Sequence, residues 1–148
     1  MARTDANASA RTVVSVTPLV RKLGIKPGAR LALIAAPEGF EAVLGELPDG
    51  AVLASRLRGP LDVIIAFYVR RAKLEQRLPA LRSALDQDGG LWLAWPKRSS
   101  GVETDLGDGV VRELGLAAGL VDNKVCAIDA TWSGLRFVYR LEDRGAST

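Results

Sequence analysis

The sequence predicts an α/β domain in which a mostly parallel sheet of six strands is covered by helices on both faces. Three observations lead to this prediction. The chain has 148 residues, a length that fits one domain. Helix-type and strand-type segments alternate along it. Most of the strand-type segments are apolar at every position rather than at every second one, which is typical of strands buried on both sides.

The composition is that of a folded protein and excludes several kinds of chemistry. Hydrophobic residues make up 48% of the chain and charged residues 25%. Because the chain has no histidine, mechanisms that need histidine as a base, nucleophile or metal ligand are excluded. The single cysteine, Cys126, excludes an intrachain disulfide and a cysteine-based zinc site.

The charges alternate in sign along the chain. The formal net charge is +3, and successive blocks carry +5 (residues 1–36), −4 (37–50), +5 (51–100) and −3 (101–148). This pattern leaves no dominant basic stripe, and the aromatic residues lie in apolar strand-type runs. The sequence therefore does not predict nucleic-acid binding, which needs clustered Lys and Arg.

The two ends of the chain are polar. Residues 1–14 lack the apolar segment of a secretory signal and are predicted to be a flexible arm. We expect the single α/β domain over residues 15–142 and a flexible tail over 143–148. No stretch approaches the ~18 apolar residues of a membrane span. With one thiol and no export signal, the expected location is the cytoplasm, without membrane association.

The first elements are a short helix and a strand. Thr17 is a suitable N-cap and Pro18 a suitable first helical residue. Gly24 is expected to end this helix. Residues 30–36 are apolar on both alternations and predict the first strand, which Pro37 ends.

The next segments predict a short helix and two strands. Residues 38–44 are the helix candidate, and turn residues follow it. Residues 51–55 are the second strand. Residues 61–69, which are rich in β-branched and aromatic side chains, are the third and most strongly predicted strand.

A longer helix and a fourth strand follow. Leucines at 74, 78, 81 and 85 form one stripe of a helix over residues 71–85. Pro79 predicts a kink, or a helix that starts near it. A Gly89-Gly90 turn then precedes a fourth strand over residues 91–95.

The last part of the chain predicts a helix and a hairpin. Thr104 or Asp105 is expected to cap a helix that runs to about residue 118. Residues 122–129 and 134–140 predict an antiparallel strand pair. Right-handed crossovers and the return of this hairpin predict the spatial order second, first, third, fourth, sixth, fifth, with the first strand central and the hairpin at one edge.

Two parts of the chain resemble a known fold. Residues 85–97 and the terminal hairpin, residues 125–139, are similar to the corresponding parts of a reduced class I methyltransferase. This resemblance implies a three-layer Rossmann-like fold. A closer resemblance, to an uncharacterised bacterial domain-of-unknown-function family (number 3052), is carried by the segments KLGIKPG, APEGF, WPK, GLVDNKV and TWSGL. Since that family has no established activity, it implies only the fold and a bacterial origin.

The residues of a classical nucleotide or S-adenosylmethionine site are absent. Such a site needs closely spaced glycines after the first strand and an acid after the second. Here the first turn is Ala-Ala-Pro-Glu-Gly, residues 35–39, and the second strand is followed by Arg56. No cofactor is therefore predicted, although an arginine at this place can accept a phosphorylated ribose, as in NADP.

The carboxyl ends of the parallel strands supply the candidate binding site. In α/β folds these ends meet at one edge of the sheet, where ligands bind. Glu38 and Lys97 there could form an acid–base pair, although an ordinary ion pair is the simpler interpretation. The loop after the fourth strand can hold an anion, the alternative being an ordinary solvated loop. The candidate residues for a ligand or anion are Glu38, Arg70, Lys97, Arg98, Ser99 and Ser100.

Two functions follow from these observations. The first is a non-enzymatic module that binds a protein partner or a small anion through the strand ends. The alternative is a small-molecule transferase with a divergent pocket. The two functions differ in whether Glu38, Arg70 and Lys97 converge in one concave pocket. Cys126, with no histidine to activate it, is expected to be an inert, buried thiol.

Overall fold

The computed structural model describes residues 18–144. The predicted arm (residues 1–14), the predicted cap Thr17 and residues 145–148 of the predicted tail lie outside this range. Within it, Leu141–Asp143 form one turn of 3₁₀ helix, and the Arg144 Nε donates to the Tyr139 carbonyl at 3.0 Å.

One six-stranded sheet organises the chain, and its strand order is the predicted one. The strands are β1 (Arg30–Ile34), β2 (Val52–Leu53), β3 (Leu61–Phe67), β4 (Leu85–Pro96), β5 (Leu120–Ala127) and β6 (Trp132–Tyr139), in the order β2-β1-β3-β4-β6-β5. Strands β1 to β4 pair in parallel, whereas β6 is antiparallel to both β4 and β5. As predicted, β1 lies inside the sheet and pairs on both sides; only the two-residue β2 lies beyond it, so β3 and β4 are the two middle strands.

Helices cover both faces of the sheet and make the fold three-layered. They are α1 (Leu19–Lys22), α2 (Phe40–Leu44), α3 (Arg71–Ala84) and α4 (Asp108–Ala117). The leucine stripe of α3 and the apolar residues of α4 share one core with alternate residues of β3 and β4. The other face carries Phe40 and Leu44 of α2 and the Leu23–Ile25 turn that follows α1. Strands that carry apolar side chains on both faces are therefore packed against other elements on both faces, as the continuous apolar runs predicted.

The two central strands contain the most deeply buried side chains. Ile64 and Ile65 are both 0% exposed and belong to the two different cores, on opposite faces of β3. Trp92 of β4 is also fully buried, and its Nε1 donates to the Leu23 carbonyl at 2.9 Å. This bond anchors the turn after α1 to the sheet and satisfies a buried indole N–H.

The boundary between α3 and β4 differs from the prediction. The helix runs without a break from Arg71 through Pro79 to Ala84, and the strand starts directly at Leu85. The two glycines lie inside the strand rather than in a turn. A Cβ at Gly89 would lie 2.8 Å from the Asp62 carbonyl oxygen. Tight packing, rather than turn geometry, is therefore what requires glycine here.

The predicted cap of α4 was also wrong. The helix begins at Asp108, and its N-cap is Gly107. Thr104 instead donates through its Oγ1 to the Val69 carbonyl at 2.6 Å, and the Asp105 Oδ1 accepts from the Arg71 N–H at 2.7 Å. Asp105 thus caps α3, a helix distant in sequence, because tertiary folding brings the loop before α4 to the start of α3.

No helix within residues 18–144 is long and apolar enough to cross a membrane.

Candidate functional site

Strands β1, β3 and β4 end at one edge of the sheet, which we call the strand-end edge. The chain leaves β1 toward β2 on one side and returns to β3 on the other, so the strand order reverses between β1 and β3. In open α/β sheets ligands bind in the crevice outside such a reversal. Two separate cavities open at this edge.

The first, which we call the β1–β2 cavity, has a volume of about 670 Å³ and lies where β1 and β2 end. Two carboxylates, Glu38 and Glu41, line it, and no basic side chain does. Arg56 is exposed and does not line it, so the cation expected after the second strand is outside the cavity. Its other lining residues are Leu33, Ala35, Ala36, Pro37, Gly39, Phe40, Leu53, Ala54 and Ser55.

The turn that closes the β1–β2 cavity has an unusual backbone. Ala35 has φ of 56°, the only positive φ at a non-glycine residue in the described chain 18–144. Left-handed geometry costs an L-residue roughly 1–2 kcal/mol, whereas glycine, which has no Cβ, adopts it without this strain. The position is therefore one where a glycine-rich turn would be relaxed, yet the chain places a methyl group there and a proline two residues later.

The second, which we call the loop cavity, has a volume of about 620 Å³ and lies between the loop after β4 and the hairpin. Lys97 and Arg98 line it, and neither side chain forms an ion pair within residues 18–144. Glu103 and Asp108 line it as well. The remaining lining residues are Trp95, Pro96, Val102, Thr104, Leu106, Gly107, Val125 and Ser133.

The structure does not bring the predicted site residues into one pocket. Glu38 lines the β1–β2 cavity, whereas Lys97 and Arg98 line the loop cavity, and no ion pair joins Glu38 to Lys97 in the described chain. Arg70 is the N-cap residue of α3, is exposed, and lines neither cavity. The predicted acid–base or ion pair between Glu38 and Lys97 was therefore wrong.

The two serines of the predicted site differ in their roles. Ser100 is used inside the loop: its Oγ donates to the Lys97 carbonyl at 2.6 Å and accepts from the Val102 N–H at 3.1 Å. Ser99 is exposed and does not line the loop cavity. The Ser100 hydroxyl therefore shapes the loop, and of the predicted site residues Lys97 and Arg98 are the ones left to contact a ligand in this cavity.

A buried tyrosine at the strand-end edge escaped the sequence analysis. Tyr68 follows β3, is 5% exposed, and its hydroxyl forms no well-aligned hydrogen bond. Burial raises the pKa of Tyr68 above its ordinary value, and the nearby Arg77 guanidinium partly offsets this rise. The sequence offered only one sign of this site, a tyrosine at the end of an apolar strand. Such a tyrosine is indistinguishable from an ordinary core residue, because a sequence does not reveal an unsatisfied hydroxyl.

The lone thiol is only half-buried, although the sequence predicted a buried one. Burial raises the pKa of Cys126, and the positive charges of Lys22 and Lys124 only partly oppose that effect. A raised pKa leaves little reactive thiolate at neutral pH, so this environment agrees with an inert thiol. No cluster of acidic or cysteine side chains within residues 18–144 could hold a metal ion.

Comparison with known proteins relates the chain to others by structure alone. No family model matches the sequence. No curated protein matches it either.

Solved structures resemble the fold despite low sequence identity. A fibrillarin pre-rRNA processing protein from Methanococcus jannaschii has a TM-score of 0.55 at 13% identity, over 84% of this chain and 70% of that one. A SAM-dependent methyltransferase from Aquifex aeolicus has a TM-score of 0.56 at 12% identity, over 80% and 86%. A possible exported protein from Bordetella parapertussis has a TM-score of 0.61 at 10% identity, over 82% and 65%. At this identity the likeness carries the fold and not the activity, and the fold is the Rossmann-like one of SAM-dependent methyltransferases.

Proposed function

We propose that this chain is a non-enzymatic, cytoplasmic binding module that takes a small organic anion in the loop cavity. The observation that carries the proposal is the pair of neighbouring cations, Lys97 and Arg98, that line a concave site without forming an ion pair in the described chain. A carboxylate placed between them would gain charge-assisted hydrogen bonds.

The other walls of the loop cavity favour a ligand with one anionic group and an apolar body. Val125 is 63% exposed and Val102 is 43% exposed, and both line the cavity beside the buried Trp95. Exposed apolar side chains in a concave site are available for contact with an apolar group. Glu103 and Asp108 would repel a second negative charge on the ligand.

The separation of the two cavities removes the acid–base pair that the sequence offered. Acid–base catalysis needs groups within hydrogen-bond reach of one reacting atom. Glu38 and the cations Lys97 and Arg98 line different cavities. A ligand held by Lys97 and Arg98 is therefore not presented to the carboxylate that the sequence offered as its partner.

A divergent transferase is the second candidate, and one observation favours it. The β1–β2 cavity opens at the strand ends and carries Glu38 and Glu41, whose carboxylates can accept hydrogen bonds from ribose hydroxyls. Ala35 and Pro37 oppose it. A Cβ in the turn keeps a ligand away from the backbone, and proline has no N–H to donate.

Calorimetric titration with SAM, NAD and NADP separates the two candidates. We expect no saturable binding of any of them at micromolar concentration, because the turn at Ala35–Pro37 is not the glycine-rich turn that such ligands approach closely. NADP is the most demanding test of this expectation, because Arg56 follows the second strand, where an arginine can accept a phosphorylated ribose. Saturable micromolar binding of SAM would overturn the non-enzymatic function and support the transferase.

A thermal-shift screen with monocarboxylates, from acetate to benzoate and indole-3-acetate, tests the proposed ligand class. We expect monocarboxylates with larger apolar bodies to raise the melting temperature more, because they contact the apolar walls of the cavity and bind more tightly. The shift is measurable, since a ligand at 100 times its Kd stabilises the fold by about 2.7 kcal/mol. The double variant Lys97→Gln/Arg98→Gln should abolish the shift. Arg70→Gln, which removes an exposed charge at the same edge but outside both cavities, is the control and should keep it. A shift that survives the double variant, or none with any carboxylate, would contradict the proposal.

A further inference from the structure

A third concave site lies between the turn after α1 and strands β5 and β6, and we call it the basic cleft. It has a volume of about 210 Å³ and shares no lining residue with the two cavities at the strand-end edge. Four of its seven lining residues are basic and none is acidic: Lys22, Leu23, Gly24, Lys26, Asn123, Lys124 and Arg136. The segments KLGIKPG and GLVDNKV, far apart in sequence, meet here.

Two of the lysines are held in place by bonds to the backbone. The Lys22 Nζ donates to the Ala127 carbonyl, and the Lys124 Nζ donates to the Lys22 carbonyl, both at 3.1 Å. These bonds cross between α1 and β5. An ammonium group has three donors, so each lysine keeps two for a ligand in the cleft. The positions of both positive charges are therefore largely preset.

Arg136 contributes a cation that forms no ion pair within residues 18–144. Its side chain is half-buried over the backbone of Gly90, where a Cβ would lie 2.6 Å from the guanidinium Cζ. The Asn123 Oδ1 accepts from its Nη1 at a long 3.4 Å, and no ion pair to it forms within the described residues. Burial lowers the pKa of Arg136, and the positive charge of Arg144 lowers it further. An anion in the cleft would offset the cost of this partly dehydrated charge.

Within the described residues, the acidic side chains that share a cavity with this arginine are Asp62 and Asp88, and neither lines the basic cleft. A neighbouring cavity of about 270 Å³ shares Gly24, Lys26 and Arg136 with the basic cleft and is also lined by Asp62 and Asp88. The Asp62 Oδ2 is engaged, because it accepts the Arg30 N–H at 2.8 Å. A negative group is therefore directed to the side of Arg136 that faces Lys22 and Lys124.

We propose that the basic cleft binds the phosphate group of a small phosphomonoester. A dianion with three terminal oxygens matches several fixed donors better than a carboxylate does, and arginine can bind phosphate through two parallel hydrogen bonds. The volume supports a small molecule, since pockets for larger organic ligands span roughly 300–1,000 Å³. This site goes beyond the proposed function, because it involves neither Lys97 nor Arg98.

Calorimetric titration with inorganic phosphate and with glycerol 3-phosphate tests the proposal. We expect saturable binding of both by the unmodified chain, weakened by added salt. Arg136→Gln should reduce the affinity by about tenfold or more, because it removes charge-assisted hydrogen bonds. Lys26→Gln should also weaken binding; its side chain is exposed and makes no described contact, so this variant tests the site without disturbing the fold. Lys73→Gln, on the exposed side of α3, is the matched control and should bind like the unmodified chain.

Three results would overturn the proposal. The first is the absence of saturation with either phosphate at about 10 mM, a concentration that would detect even millimolar affinity. The second is unchanged affinity in both Arg136→Gln and Lys26→Gln. The third is tighter binding of an oligonucleotide without a terminal phosphate, since this would assign the cleft to phosphodiester backbones rather than to a phosphomonoester.

Discussion

Replacing either Ile64 or Ile65 by alanine is expected to lower the free energy of unfolding by about 2–5 kcal/mol, through lost burial and a cavity in the core. Both residues are 0% exposed. Ile64 belongs to the core on one face of β3, and Ile65 belongs to the core on the opposite face. The two single variants thus probe the two layers of helix packing separately. Urea unfolding, followed by circular dichroism, measures both.

Val52→Ala is the matched control for these variants. Val52 is also a β-branched strand residue, but it lies in the edge strand β2 and is 52% exposed. Its truncation should change stability by no more than about 0.5 kcal/mol. Losses below about 1 kcal/mol for both isoleucines would mean that β3 is not covered on both faces.

Replacing Gly115 by alanine is the second substitution with a large expected effect. Gly115 lies in α4 against the fully buried ring of Phe137, and a Cβ there would lie 2.6 Å or less from three ring carbons. The ring is packed into the core and cannot move aside freely. Overpacking costs about 1–3 kcal/mol, and an overlap this close with a buried ring belongs at the upper end of that range, above the ~1 kcal/mol that alanine gains over glycine in a helix. We therefore expect net destabilisation, measurable by thermal or urea unfolding.

Gly109→Ala separates the steric effect from helix propensity. Gly109 lies in the same helix, and a Cβ at that position meets nothing within 4 Å. This variant should be neutral or more stable by up to about 1 kcal/mol. In addition, Phe137→Leu should make Gly115→Ala less harmful, because it removes the ring that causes the clash. Equal effects at Gly109 and Gly115 would contradict the close approach of α4 to β6.

The order of the strands could be predicted from the sequence because it depends on local patterns and on general rules. Continuous apolar runs mark strands buried on both faces, and right-handed crossovers leave few possible arrangements. The ends of the elements were less predictable. Asp105 has the chemistry of a cap, and the sequence placed it on the helix that follows it. It caps α3 instead, because a loop that crosses the strand-end edge carries it there.

By itself, the sequence determined the fold class, the sheet order, the burial of β3 and the lack of a glycine-rich turn after β1. These properties follow from residue type and spacing along the chain. Only the tertiary structure decided which charged groups share a cavity. It separated Glu38 from Lys97 and joined Lys22 with Lys124 and Arg136. Distances between side chains on different strands depend on register, twist and loop path, and these are set by the packing of the whole domain rather than by any one segment.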